Sequence, residues 1–222
     1  MSTVLTKPKE RPILFNGPMV QAILEGRKTV TRRVIKDSLS SNWDWSDHPE
    51  DMQNGYPWIE DGNGISHKAV DLSPYGKRED VLWVRETWQY DEPCDRFWYR
   101  ADADADGFIF DCPIEGFNQD GIGYLGEPKL YKPDKWRPSI FMPYAACRLK
   151  LRITDVRVER LKQITAAQCI AEGIEIERDI NTACGEIEAF EKFQTLWDSI
   201  NAKRGYAFDL NPYVWVVEFE CI

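Results

Sequence analysis

Gly26-Arg27-Lys28-Thr29-Val30-Thr31-Arg32-Arg33 places an amine, two hydroxyls and three guanidinium groups in eight residues, directly behind a glycine. The preceding stretch, Pro18-Met-Val-Gln-Ala-Ile-Leu-Glu25, predicts a short helix opened by proline and closed by Gly26. Thr29-Val30-Thr31 is β-branched, so the chain is expected to turn extended there. Strand alternation then sends Thr29, Thr31 and Arg33 to one face and Val30 and Arg32 to the other. Lys28 sits in the turn, within reach of Thr31. Taken alone, the octapeptide also fits an ordinary solvated basic surface.

Periodic signals elsewhere complete an α+β, β-rich pattern. Val81–Thr87 reads as a strand, and Arg148–Arg160 alternates charged and apolar residues until Thr154-Asp155 shifts the phase, which predicts a bulge or turn. Thr165-Ala-Ala-Gln168 has the form of a capping box, opening a helix that ends with Glu172 before Gly173. Ile187, Phe190, Phe193, Leu196, Trp197 and Ile200 recur at helical spacing, predicting an amphipathic helix over residues 186–201. Residues 37–76, with Trp43, Trp45 and Trp58, and residues 101–138, rich in glycine and proline, read as two long loop insertions. The tryptophans suit loop anchoring, with base stacking by Trp43 and Trp45 as the alternative.

Composition narrows the classes. With 43% hydrophobic residues and nine tryptophans, 222 residues can bury a sizeable core. No run approaches a membrane span and the N-terminus lacks a signal peptide's apolar core, so a cytoplasmic protein without membrane contact is expected. Six cysteines without Cys-x-x-Cys spacing predict free thiols. His48 and His67 are the only histidines, leaving little material for a catalytic triad or a histidine metal site. Asp102-x-Asp104-x-Asp106-Gly107 begins like a calcium loop, but Pro113 replaces the closing glutamate; a solvated turn is expected, with no metal and no cofactor.

The net charge of −9 is segregated: residues 7–36 hold eight basic and two acidic side chains, residues 37–76 one and eight, residues 89–126 two and nine. A local electropositive mouth on an acidic body suits a modified nucleoside or short RNA better than long duplex DNA.

Gly26-x-Lys28-x-x-Thr31-x-Arg33 resembles the Gly-x-Lys-x-x-Thr-x-Arg signature of the ASCH domain, a small PUA-like β-barrel found with RNA-related proteins and in many prophages. Arg11-Pro-Ile-Leu-Phe15 is similar to its first strand, and Glu79-Asp80-Val81-Leu82-Trp83-Val84-Arg85-Glu86-Thr87-Trp88 to its Gly-Asp-x-Leu-Trp-Val-Arg-Glu-Thr-Trp strand, with Glu79 where glycine is usual. Arg148–Arg160, Ala171-Glu172-Gly173-Ile174 and Val214-Trp-Val-Val-Glu-Phe219 resemble later elements of the longer, phage-type members. The resemblance implies one PUA-like mixed β-barrel over residues 11–222, flanked by short helices, with insertions at about 37–76 and 101–138 and an extension at 1–10.

Small bacterial members deacetylate N4-acetylcytidine with the signature lysine and threonine and a later glutamate. Carried over, these roles fall on Lys28, Thr31 and Glu172, with Glu86 as the rival carboxylate. Arg32, Arg33, Trp83, Arg85 and Glu86 are then expected to bind substrate, Arg33 on phosphate or an oxyanion, or else in a salt bridge with Glu86. An RNA-binding module without chemistry, a ribonuclease-like protein and a phage accessory protein are the alternative functions, because one fold hosts many.

Overall fold

The computed structural model describes residues 7–36, 44–46, 58–60, 66–92, 95–111, 114–117, 123–125, 129–133 and 135–222. The chain sorts into two compact units interleaved in sequence: residues 1–13, 22–83 and 149–222 form the first, and residues 14–21 and 84–148 the second.

The strands run in chain order from β1 (Glu10–Leu14) and β2 (Val30–Val34), through the short β3 (Asp44–Ser46), β4 (Trp58–Glu60) and β5 (Ser66–Lys68), to β6 (Val81–Arg85). The second unit adds β7 (Trp88–Asp91), β8 (Arg96–Tyr99), β9 (Ile109–Asp111), β10 (Ile114–Phe117), β11 (Gly123–Leu125) and β12 (Lys129–Tyr131). The chain closes with β13 (Lys150–Arg160) and β14 (Tyr213–Cys221). The helices are α1 (Gly17–Leu24), α2 (Ala166–Ala171) and α3 (Ala183–Asn201).

The principal sheet has five strands in the order β1-β6-β13-β14-β2. Backbone bonds from Val81 N to Lys9 O and from Phe15 N to Arg85 O run in step, so β1 lies parallel to β6. The other pairs are antiparallel, and the β13–β14 register slips between Ile153 and Asp155, at the predicted phase shift. The fold is thus α+β and sheet-rich. Among the described residues the sheet is open, not the closed barrel that the resemblance implies: β1 and β2 are its opposite edges. α1 joins those strands as a crossover, which does not oblige them to pair as a hairpin would.

Two further expectations change. Residues 37–76 contain the antiparallel sheet β3-β4-β5, and residues 101–138 contain the pairs β9–β12 and β10–β11, so neither is structureless. Short strands with few apolar residues give too weak a period-2 signal to be read. Base stacking by Trp43 falls outside the described residues, as do the side chains of Trp45 and Trp58. In α3 the inward stripe is Gly185, Ala189, Phe193, Trp197 and Asn201, while Ile187, Phe190 and Ile200 are exposed. A spacing of four residues pulls the buried stripe away from those three positions.

A core of the first unit lies between one face of β2 and β14 and the helices α2 and α3: Val30, Val214 and Val216 pack with Cys169, Phe193 and Trp197. Burying each large side chain contributes about 1.5–3 kcal/mol. β14, an interior strand, is buried at Val214, Trp215, Val216 and Val217, so both of its faces are covered there. No helix among the described residues is long and apolar enough to cross a membrane.

Before β6 the backbone reverses. Glu79 has φ +73°, the left-handed region, while its N–H donates to Ile153 O at 2.9 Å. The glycine expected from the resemblance is absent, yet the chain keeps the conformation glycine favours. Glu79→Gly is therefore expected to raise stability by about 0.5–1 kcal/mol, since the left-handed penalty for a side-chain-bearing residue exceeds the added freedom of the unfolded chain. Urea denaturation of the two proteins measures this; an unchanged or lowered midpoint would contradict it.

Candidate functional site

Asn16 caps α1, its Oδ1 accepting from Met19 N at 3.0 Å, and Gly26 ends it at φ +73°. The following residues dock onto the C-terminus of α2. Thr29 N donates to Ala171 O at 2.9 Å, Lys28 Nζ to Glu172 O at 2.8 Å, and Arg27 Nη1 to Gly173 O at 3.2 Å. A helix end leaves carbonyls unsatisfied and carries partial negative charge. Three consecutive signature residues satisfy three consecutive carbonyls there.

Lys28 goes further. Its Nζ also donates to Val30 O at 2.8 Å and to Glu172 Oε2 at 2.7 Å, and its side chain is 0% exposed against 6% for Glu172. The capping box at Thr165 and Gln168 starts α2, and Glu172 ends it with helical dihedrals, so its carboxylate faces β2. Gly173 follows at φ +94°; a Cβ there would come 2.9 Å from Ala22 Cβ and 3.3 Å from Lys28 Cβ. Only glycine leaves the lysine stem its path.

Alternation along β2 puts Val30 into the core and Arg32 on the same face, where its guanidinium reaches Glu172 Oε1 at 3.3 Å, Gln168 Oε1 at 2.9 Å and Glu159 Oε2 at 3.3 Å. Arg32 Nε is buried and finds no acceptor among the described residues. Thr31 is buried on the opposite strand face from Arg32. Arg33 lies near enough to Tyr75 for the two to bias each other's titration.

Burial pushes the Lys28 ammonium down from the ordinary lysine value; Glu172 opposes this, and the cations Arg33 and Arg32 add to it. Desolvation therefore outweighs the adjacent carboxylate, the condition a basic lysine requires. Burial likewise lowers Arg33 and raises the Cys169 thiol to about 12, which keeps that thiol protonated and inert.

Lys28, Arg32 and Glu172 are thus brought together, and Thr31 and Arg33 flank them along β2. Trp83 lies in β6, paired in register with Lys150. Arg85 and Glu86 belong to the second unit. There Arg148 grips both Glu86 oxygens at 2.9 Å, and both Asp102 oxygens, while its guanidinium lies 3.9 Å from the Tyr99 ring centroid. Burial raises the Glu86 carboxyl and Arg148 opposes the rise. Glu86 is thus held by Arg148, not by Arg33, and Glu172 is the carboxylate on Lys28. Arg85 donates to Ile140 O.

Gln168 and Glu159 are the site residues that sequence reading missed. Gln168 was legible only as a helix cap, yet one oxygen serves both Thr165 N and Arg32. Glu159 carried no signal beyond alternation on β13. In the aspartate repeat, Asp104 Oδ1 accepts from Phe108 N at 2.8 Å and Asp102 is held by Arg148, a turn satisfied by its own partners. Among the described residues no group of three or more metal-ligating side chains is gathered, and Cys147, Cys169, Cys184 and Cys221 are free thiols. The chain matches no protein-family model, no curated protein and no solved structure.

Removing either member of a buried pair strands the other, so Lys28→Met and Glu172→Leu are each expected to cost about 3–5 kcal/mol, whereas the double variant costs far less than their sum. Chemical denaturation of the four proteins closes this cycle; additive losses would mean that the two groups do not sense each other. Gly173→Ala is expected to lose about 1–2 kcal/mol from its backbone conformation alone.

Proposed function

We propose that this chain is an ASCH-type, PUA-like domain acting on an RNA-derived ligand, and that it hydrolyses the acyl group of an N4-acylated cytidine-type nucleoside. The observation that carries the reading is the 2.7 Å contact between Lys28 and Glu172, 144 residues apart and both withdrawn from solvent. A buried ionisable pair is costly and contributes little net stability, so its presence beside a hydroxyl-bearing strand favours chemistry.

In this mechanism Thr31 Oγ1 attacks the acyl carbonyl carbon and its proton passes to the Lys28 amine. The lowered lysine pKa supports that role. To act as base, the amine releases one of its three hydrogen bonds and keeps two. The proton crosses the contact to Glu172 and is delivered to the cytosine N4 as the carbon–nitrogen bond breaks. Water, deprotonated by Lys28, then cleaves the threonine ester and frees the carboxylic acid. Arg33, on the strand face of Thr31, supplies positive charge for the oxyanion that develops, while Arg32 holds Glu172 in place.

A non-catalytic RNA-binding module is the second reading. It is favoured by the helix-capping bonds of residues 27–29, which give Lys28 a structural task without turnover. Ribonuclease-like and phage accessory roles have no comparable observation among the described residues.

Thr31→Ala is expected to abolish hydrolysis of N4-acetylcytidine while nucleoside affinity changes by less than about threefold, as read by product chromatography and calorimetry. Turnover at the parental rate would remove the mechanism, and no turnover by the parent protein would leave the binding module. Because the base form of Lys28 grows as pH rises, kcat/KM should climb through a pKa below the ordinary 10.5. A flat profile would exclude lysine as the base.

A further inference from the structure

A cleft of about 570 Å3 in the first unit is floored by Asp80. Asp80 Oδ1 accepts from Lys9 N at 2.9 Å, and Oδ2 from Lys77 N at 3.2 Å and Arg11 Nη1 at 2.8 Å. These bonds hold its carboxyl below the usual range against the opposing effect of burial. Gly76, at φ +107°, makes the arrangement possible: a Cβ there would lie 2.5 Å from Arg11 Nη1 and 2.6 Å from Asp80 Oδ2. The floor is built and its carboxylate is spent.

The rim is basic. Lys7, Lys9, Lys77 and Arg78 line it, and among the described residues the three lysine ammoniums have no hydrogen-bond or ion-pair partner. Arg78 has only Glu79 at 3.6 Å, and both side chains are exposed. Of the acids on the cleft, Asp80 is held by Arg11, Asp155 shares Arg157 with Glu159 and Glu218, and Asp71 faces the rim. On a chain of net charge −9, the five cations Lys7, Lys9, Arg11, Lys77 and Arg78 against the carboxylates Asp71, Asp80 and Asp155 leave an excess of two positive charges, which marks a local anion site. Among the described residues no aromatic side chain lines the cleft. The feature on offer is therefore dense positive charge without a surface for bases to stack on, which recognises a phosphate backbone irrespective of sequence.

We propose that this cleft holds the phosphodiester backbone of a nucleic acid. The assignment goes beyond hydrolysis at Lys28, and binding and turnover are read separately, so either can fail alone. Fluorescence anisotropy with labelled U12 RNA tests it on the full chain, with inorganic tripolyphosphate and an oligoglutamate peptide as competitors. Lys9→Glu/Lys77→Glu should weaken U12 binding at least about tenfold at about 50 mM salt and reduce the log–log salt slope by about two. The charge-matched control Lys135→Glu/Lys203→Glu, exposed lysines that do not line the cleft, should change binding little. Circular dichroism establishes that both variants fold. No binding of U12, equal loss in the control, or equally effective competition by tripolyphosphate or oligoglutamate at matched charge would overturn the assignment.

Discussion

One ammonium group organises this protein's first unit. Lys28 closes the end of α2, bonds the first carbonyl of β2 and neutralises Glu172, and all three contacts lie out of water. A lysine can be buried only where acceptors replace its hydration. That requirement explains its surroundings: the glycine at 173 that clears its stem, the capping box that sets the helix end, and Arg32 holding the other carboxylate oxygen. Strand and helix are thus joined by polar bonds at one end and by the Val30, Cys169 and Phe193 packing beside them.

Much of this was legible in the chain. The proline-to-glycine helix, the β-branched strand after it, the bulge at Thr154-Asp155 and the Thr165 cap all rest on local rules, and the corresponding elements occur where those rules put them. Strand alternation also grouped Val30 with Arg32, and both are found on the side of β2 that meets α2. What sequence reading could not supply was long-range choice. Glu86 stood as a rival to Glu172 for Lys28 until the fold placed Glu172 at 2.7 Å and gave Glu86 to Arg148. The α3 stripe failed for a related reason: it contains more apolar residues than one face needs, and only tertiary packing decides which are covered. The insertions hid their short strands because so few residues carry each one.

Charge is handled differently in the two units. In the first, cations and carboxylates of the Lys28 cluster alternate around shared atoms, and Glu172 and Arg32 each serve more than one partner. In the second, Arg148 holds two acids alone and is backed by an aromatic ring, a geometry suited to guanidinium. The first has a competition between burial and pairing that leaves its lysine easier to deprotonate. The second raises Arg148 further and fixes it as a permanent cation.

The chain leaves the first unit after Trp83 and re-enters it at Leu149, and Trp83 is the register partner of Lys150. Departure and return are therefore adjacent rungs of one ladder. The entropy of closing an excursion grows only with the logarithm of its length, about 0.6 kcal/mol per doubling. A sheet built this way is nearly indifferent to how much polypeptide hangs between those rungs. Such a doorway lets a lineage lengthen, shorten or exchange the intervening segment while the strands on either side keep their partners.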